Sequence, residues 1–301
     1  MTVSRRSFLA GGAAATALAS PVMAAAPKLG VSFGGFHRVK LGGFEITTLS
    51  AGTRIVESPQ NIFGMNVSAE EFAAASKAAN IPADTSRFYF TPVLVNTGSE
   101  LVLFDTGLKG QTTLAQIEAA GYTADQIDKV IITHMHGDHI GGLSGDDGET
   151  FAGAAYYTGA TENDFWAGRD SDSYKAKVAP LLEKFSFIGD GASVASGITA
   201  MDASGHTPGH LAFMLESEGA AMLLGSDFAN HYVWSLGYPD WEVRFDMDKA
   251  AAAARRRQIL DMLATDKIPF TGYHMPFPAI GYVSKRGDGF EYEAATYQLT
   301  L

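Results

Sequence analysis

The 301-residue sequence contains no cysteine. That absence removes disulfides, thiolate zinc sites, iron–sulfur clusters and thiol nucleophiles together. Basic residues are scarce, with 22 Lys and Arg against 33 Asp and Glu, for a formal charge of −11. Such a surface repels nucleic acid and anionic lipid, so no nucleic-acid partner is expected. Long apolar runs are missing too. The longest near the start, Phe8 to Ala19, is too short and too rich in Gly and Ala for a span of ~20 residues, so no stable membrane anchor is expected. What remains is the composition of an ordinary globular chain, with 46% hydrophobic residues and a mean hydropathy of +0.02.

The first 26 residues stand apart. Ser4-Arg5-Arg6-Ser7-Phe8-Leu9 opens onto the short apolar run, and Ala24-Ala25-Ala26 supplies a small-residue cleavage site. Paired arginines followed by Phe and Leu have the form of a twin-arginine signal, which engages an export machinery that moves folded proteins. Residues 1–26 are therefore expected to be a signal peptide, and residues 27–301 one exported domain, periplasmic or secreted. Removal takes away Arg5 and Arg6 but no acid, deepening the charge from −11 to −13.

Beyond the signal, strand and helix patterns alternate. Phe36–Leu41 and Phe44–Leu49 flank Gly42-Gly43 as a hairpin. Phe88–Asn96 and Glu100–Asp105 form a second, around Thr97-Gly98-Ser99. Thr112–Ala120 reads as helix and Lys129–Thr133 as a buried strand. Tyr174–Phe185 and Asp248–Ala264 are the clearest later helices, with strands Leu211–Glu216 and Ala220–Leu224 between them. Early hairpins mixed with α/β alternation predict an α+β chain, a mixed sheet with helices outside it.

The chemistry concentrates in His134-Met135-His136-Gly137-Asp138-His139, directly after the apolar Val130-Ile131-Ile132. Three imidazoles and a carboxylate so close together cannot all point one way from a helix or strand. On a loop leaving a strand they can converge on adjacent metal positions. Imidazole and carboxylate suit zinc, manganese, iron or cobalt.

This segment resembles the H-x-H-x-D-H signature of the metallo-β-lactamase fold superfamily. Phe104-Asp105-Thr106-Gly107, Ser204-Gly205-His206-Thr207-Pro208-Gly209-His210, Gly225-Ser226-Asp227 and Tyr273-His274 follow the family's other motifs in order. The resemblance implies a four-layer αββα sandwich with two divalent metal ions, zinc first, at one edge. It implies His134, His136 and His206 as ligands of one ion, Asp138, His139 and His274 as ligands of the other, and Asp227 as the bridge. Two ions sharing a hydroxide would cleave a small-molecule substrate without a thiol nucleophile, with Asp138 also acting catalytically by orienting the nucleophile or moving a proton. The resemblance further implies a homodimer.

Leu94-Val95-Asn96-Thr97-Gly98, Asp164-Phe165-Trp166 and His274–Gly281 are similar to the methyl parathion hydrolase-like and lactonase group. That likeness points to lactones, esters or phosphotriesters as substrates. Trp166, His231, Tyr232 and Phe277 are the pocket candidates, with Phe63, Met65 and Trp234 behind them, and the Ile55–Arg87 segment is where selectivity would lie. Asp105 is expected to fix a loop by hydrogen bonding and His210 to be structural. His37 is expected to be structural or exposed, and Arg255-Arg256-Arg257 to form a solvated helix face. Other activities stay open on the same fold: a His-only β-lactamase, a thioesterase, a mononuclear iron dioxygenase, or a non-catalytic metal-binding scaffold. The thioesterase is the weaker for the lack of Arg and Lys in Phe290–Leu301.

Overall fold

A computed structural model describes residues 32, 34–146, 148–295, 297 and 299–301. The expected signal peptide lies outside them. Along the chain run β1 (Phe36–Leu41), β2 (Phe44–Leu49), β3 (Gly52–Glu57), helix α1 (Ala69–Ala78), β4 (Thr85–Phe90), β5 (Val93–Asn96) and β6 (Leu101–Phe104). Next come α2 (Gly110–Ala119), β7 (Lys129–Ile132), α3 (Gly137–Ile140), the short strands β8 (Ser144–Gly145) and β9 (Gly148–Glu149), β10 (Ala155–Gly159), α4 (Ala160–Ala167), α5 (Asp172–Lys177) and β11 (Phe185–Ile188). The last part holds β12 (Ser193–Ala195), β13 (Ile198–Asp202), β14 (Leu211–Ser217), β15 (Ala220–Ser226), α6 (Lys249–Asp266), β16 (Phe270–Gly272), β17 (Ile280–Arg286) and β18 (Gly289–Ala294).

Two seven-stranded mixed sheets result, ordered β1-β2-β5-β6-β7-β10-β11 and β12-β13-β14-β15-β16-β17-β18. The two-residue period of a strand explains how they stack. In the first sheet Val93, Val95, Val102, Phe104 and Ile131 face Phe213, Leu215 and Leu224 of the second. The alternate residues Leu94, Leu101, Leu103, Val130 and Ile132 face outward onto Ile117 of α2 and Trp166 of α4. On the far side Leu223, Phe270 and Val283 pack against Ile259, Leu260 and Leu263 of α6. Helices thus cover both outer faces, giving the expected αββα layering. Among the described residues no helix is long and apolar enough to cross a membrane.

Three sequence expectations are corrected. Tyr174–Phe185 is not one helix: α5 ends at Lys177, a 3-10 turn spans Ala179–Lys184, and Phe185 begins a strand. Pro180 lacks the N–H a continuing helix needs, which breaks the run. Phe88–Asn96 is two strands, divided at Thr91-Pro92. Arg256 is fully buried rather than solvated, while its neighbour Arg257 is half-buried and pairs with Asp240.

The metal-type residues all leave strand ends at one edge. Asp105 follows β6, the His134–His139 loop follows β7, and Asp227 and His274 follow β15 and β16. Close backbone contact holds these loops together. A Cβ on Gly142 would lie 2.1 Å from the Thr106 carbonyl oxygen. Gly142→Ala is expected to cost about 1–3 kcal/mol by overpacking, lowering the thermal midpoint by several degrees. An unchanged midpoint would show that the two loops do not meet there.

Candidate metal centre

The seven residues implied as ligands come together. Nε2 of His134 lies 3.1 Å from Nδ1 of His136, which lies 2.9 Å from Nε2 of His206. Around a second point, Nε2 of His139 is 3.6 Å from Oδ2 of Asp138, and Nε2 of His274 is 3.4 Å from the same oxygen. Asp227 stands between the two groups. Its Oδ2 is 3.4 Å from His206 Nε2 and 3.1 Å from His274 Nε2, and its Oδ1 is 3.6 Å from His139 Nε2. His134, His136 and His206 form one cluster able to hold an ion, and Asp138, His139 and His274 another.

The donor set fits divalent ions. His139 Nε2 and Asp227 Oδ1 are buried with no hydrogen-bond partner, an expensive state unless a cation satisfies them. The other ring nitrogens of His206 and His139 already face carboxylates, so their Nε2 lone pairs remain for the centre. Burial drives His134 and His136 well below the ordinary imidazole range, and neighbouring rings add to the effect. Burial opposes protonation of His139 as well, but Asp105, Asp138 and Asp227 outweigh it and hold its pKa well above the ordinary value. Burial likewise works against a charged Asp227, yet His274 and His139 keep its carboxyl well below the usual range. The pocket calls for positive charge.

Three buried acids behind the candidate ligands fix their directions. Asp105 accepts from Thr133 N and Thr133 Oγ1, each at 2.9 Å, and lies 2.8 Å from His139 Nδ1. It holds φ at 60°, a strained value for a residue with a side chain. Glu162 accepts from Met135 N and Trp166 Nε1 on one oxygen and from Thr207 Oγ1 and Gly209 N on the other. It therefore ties the His134–His139 loop to the His206 loop. Asp246 lies 2.9 Å from His206 Nδ1 and accepts from Arg256 at 2.6 Å. Arg256 also donates to the Phe228 and Pro239 carbonyls, anchoring this chain of contacts in α6. The loop-fixing role expected of Asp105 agrees with this placement; Glu162 and Asp246 carry no sequence expectation, and Arg256 lies here rather than on the solvated face expected of it. The spacing of Glu162 and Trp166, one helical turn apart, was the available signal for the first. Asp246 and Arg256 are joined only by folding.

The remaining histidines and aromatics fall elsewhere. His210 is buried, with Nδ1 3.0 Å from the Ala203 carbonyl, a structural position; His37 is half-buried on β1. A chamber of about 760 Å³ opens over the centre, bordered by His136, Asp138, His206, Asp227 and His274. Its apolar wall is Val56, Ile62, Phe88, Phe90, Leu108 and Phe245. None of the four pocket candidates borders it. Trp166 is buried behind His136, ring centroids 5.7 Å apart, because its indole N–H is drawn inward to Glu162. His231 and Tyr232 border a different cavity, and Phe277 is half-buried past the His274 turn. Phe63 is core, Met65 exposed, and Trp234 buried beside His231. The Ile55–Arg87 segment does roof the chamber, supplying Val56 and Ile62.

Asp246→Asn keeps the shape but removes the charge on which His206 and Arg256 meet. It is expected to weaken metal retention about 10–100-fold in chelator competition, with unchanged far-UV circular dichroism. Retention equal to wild type would show that this contact does not orient His206.

The profile of the metallo-beta-lactamase superfamily matches residues 91–269, more than half of the chain. Among curated proteins, Ribonuclease Z of Pyrococcus furiosus is 46% identical over 52 residues, 17% of this chain and 16% of that protein. Beta-lactamase-like protein 2 homolog of Caenorhabditis elegans is 28% identical over 132 residues, 42% of this chain and 40% of that one. The chain thus spans less than half the length of either relative. Among solved structures, AidC, a dizinc quorum-quenching lactonase in complex with a product, superposes with a TM-score of 0.79 at 25% identity, covering 87% of this chain and 98% of that one. The hydrolase AbOPH superposes with a TM-score of 0.82 at 22% identity, covering 89% and 99%, a likeness of fold. With the sheets, the clustered His and Asp residues and the profile in agreement, the chain belongs to the metallo-beta-lactamase superfamily.

Proposed function

We propose that the protein is a dinuclear metal-dependent hydrolase of lactones, esters or phosphotriesters. One observation carries the reading: a three-histidine cluster and the Asp138–His139–His274 cluster both lie against Asp227, which groups with His134 and His139, under a single chamber. His134, His136 and His206 would hold one ion, Asp138, His139 and His274 the other, with zinc the first choice for this donor set. When bound, such a pair supplies Lewis acidity and an acidified water as nucleophile. Likeness to a dizinc lactonase over 87% of the chain supports the substrate class.

The chain's own groups define the rest. Asp138 is the most accessible of the seven ligands' carboxylates, at 20% side-chain exposure against 3% for Asp227. It is thus placed to orient a nucleophile or move a proton on its carboxylate toward a leaving oxygen. The hydroxyl of Tyr273 donates to the Asp138 carbonyl at 2.6 Å, and its ring lies against His139 with centroids 3.9 Å apart, which fixes the turn bearing both ligands. Phe88, Phe90 and Phe245 exclude water from one side of the chamber and offer an apolar surface to an acyl or aryl group. Arg54 and Arg244 at the rim supply positive charge for a polar headgroup or a departing anion. We further propose export of the folded chain, on the Arg5-Arg6 segment alone.

The test is a hydrolysis panel on purified, metal-loaded protein: aliphatic lactones, acyl-homoserine lactones, p-nitrophenyl esters, methyl parathion, a cephalosporin and a glutathione thioester. Turnover of a lactone, ester or phosphotriester is expected, and failure on all three classes contradicts the reading. Asp138→Asn is expected to lower turnover roughly 10²–10⁴-fold. His136→Ala should lose both activity and metal, and a variant that kept both would remove His136 from the centre.

A further inference from the structure

The antiparallel β3–β4 pair belongs to neither large sheet, and its two faces look onto different cavities. Cross-strand neighbours share a face, as Arg54 pairs with Phe88 and Ile55 with Arg87. Arg54, Val56, Phe88 and Phe90 border the metal chamber. Ile55, Arg87 and Tyr89 border a second cavity of about 380 Å³ on the other side. His274 is the one lining residue common to both. Apart from His274, no residue lining this second space belongs to the metal-type cluster.

Its chemistry is specific. Ile55, Ile81, Pro82 and Trp234 give it apolar walls. His231, 6% exposed, accepts the backbone N–H of Val233 and of Trp234 on Nδ1, each at 3.2 Å. Burial lowers its pKa to about 3, so the ring is neutral and its single proton sits on Nε2. Stacking on Trp234, with centroids 4.0 Å apart and planes at 17°, fixes the ring. Among the described residues no acceptor takes the Nε2 proton, which leaves it for whatever occupies the cavity. Arg87 donates to Thr53 Oγ1 at 3.0 Å and has no ion pair among the described residues. No Asp or Glu lines the space. In a chain of charge −11, an uncompensated guanidinium beside an acid-free cavity favours an anionic guest.

We propose that this cavity is a binding site for a small carboxylate with an apolar body, separate from the metal chamber. Arg87 holds the carboxylate, the Nε2–H of His231 donates to an oxygen of the same molecule, and Ile55, Ile81 and Trp234 enclose the body. The volume suits a benzoate or a medium-chain fatty acid. Occupancy bears on the metal centre through β4, since the Tyr89 carbonyl lies 2.7 Å from His274 Nδ1.

The probe is 4-bromobenzoate, titrated by calorimetry into the metal-loaded full chain. Binding is expected, weakened at least tenfold in Arg87→Gln, with neutral 4-bromobenzamide at least tenfold weaker on wild type. His231→Phe should also weaken binding; if it fails to fold, Arg87→Gln, at a half-buried strand position, carries the comparison. Because carboxylates also ligate metals, anomalous scattering from bromine in crystals of the complex locates the guest. Bromine beside Trp234 supports the site. Bromine in the metal chamber alone, no binding, or equal affinity in Arg87→Gln overturns it. Turnover is not read, so hydrolysis stands or falls separately.

Discussion

Converging lone pairs organise this molecule. His134, His136 and His206 bring three ring nitrogens to near-contact, and Asp227 sets a carboxylate between them and His139 and His274. Buried away from water, such a cluster repels itself unless positive charge enters it. The surrounding structure opposes that repulsion. Asp105, Glu162 and Asp246 are each buried, and between them their oxygens receive groups from the loops that carry the ligands. Left-handed backbone at Asp105 and Ser226, where the strands end, is borne at the same edge. The stacked sheets supply the rigidity against which this strain is held.

The centre and the chamber above it differ in origin. Every candidate ligand leaves a strand end or an adjoining loop of the sandwich, so its direction follows from sheet register and from the acids behind it. The chamber wall comes from β3, β4 and the stretch around Phe245, outside both large sheets. Substrate choice can therefore change in the roof without disturbing the metal-type cluster. The β3–β4 pair separates two spaces of unlike character, one over His and Asp side chains, the other acid-free with Arg87 and His231 at its border.

How far the sequence disclosed this depends on range. Period-two alternation and Gly-bearing turns marked the β1–β2 and β5–β6 hairpins, because neighbours along the chain create those signals. The residues that cluster as candidate ligands are legible through local motifs, above all His134–His139. Their supports were not: Asp246 reaches His206 across 40 residues and Glu162 reaches Thr207 across 45, and neither has a local pattern. A run of three arginines on a helix ordinarily faces solvent, whereas here Arg256 fills a hole lined by carbonyls and Asp246. Trp166 was placed on the chamber wall by resemblance, and the buried Glu162 carboxylate turns it inward. Aromatic residues serve core and pocket alike, so type alone could not separate Phe88 and Phe90 from Phe63.

Anomalous diffraction at the zinc edge, on crystals of zinc-loaded protein, bears most directly on the proposed paired metal centre. Two peaks are predicted, one among His134, His136 and His206 and one among Asp138, His139 and His274, with Asp227 between them. A single peak, or peaks away from these residues, would contradict it.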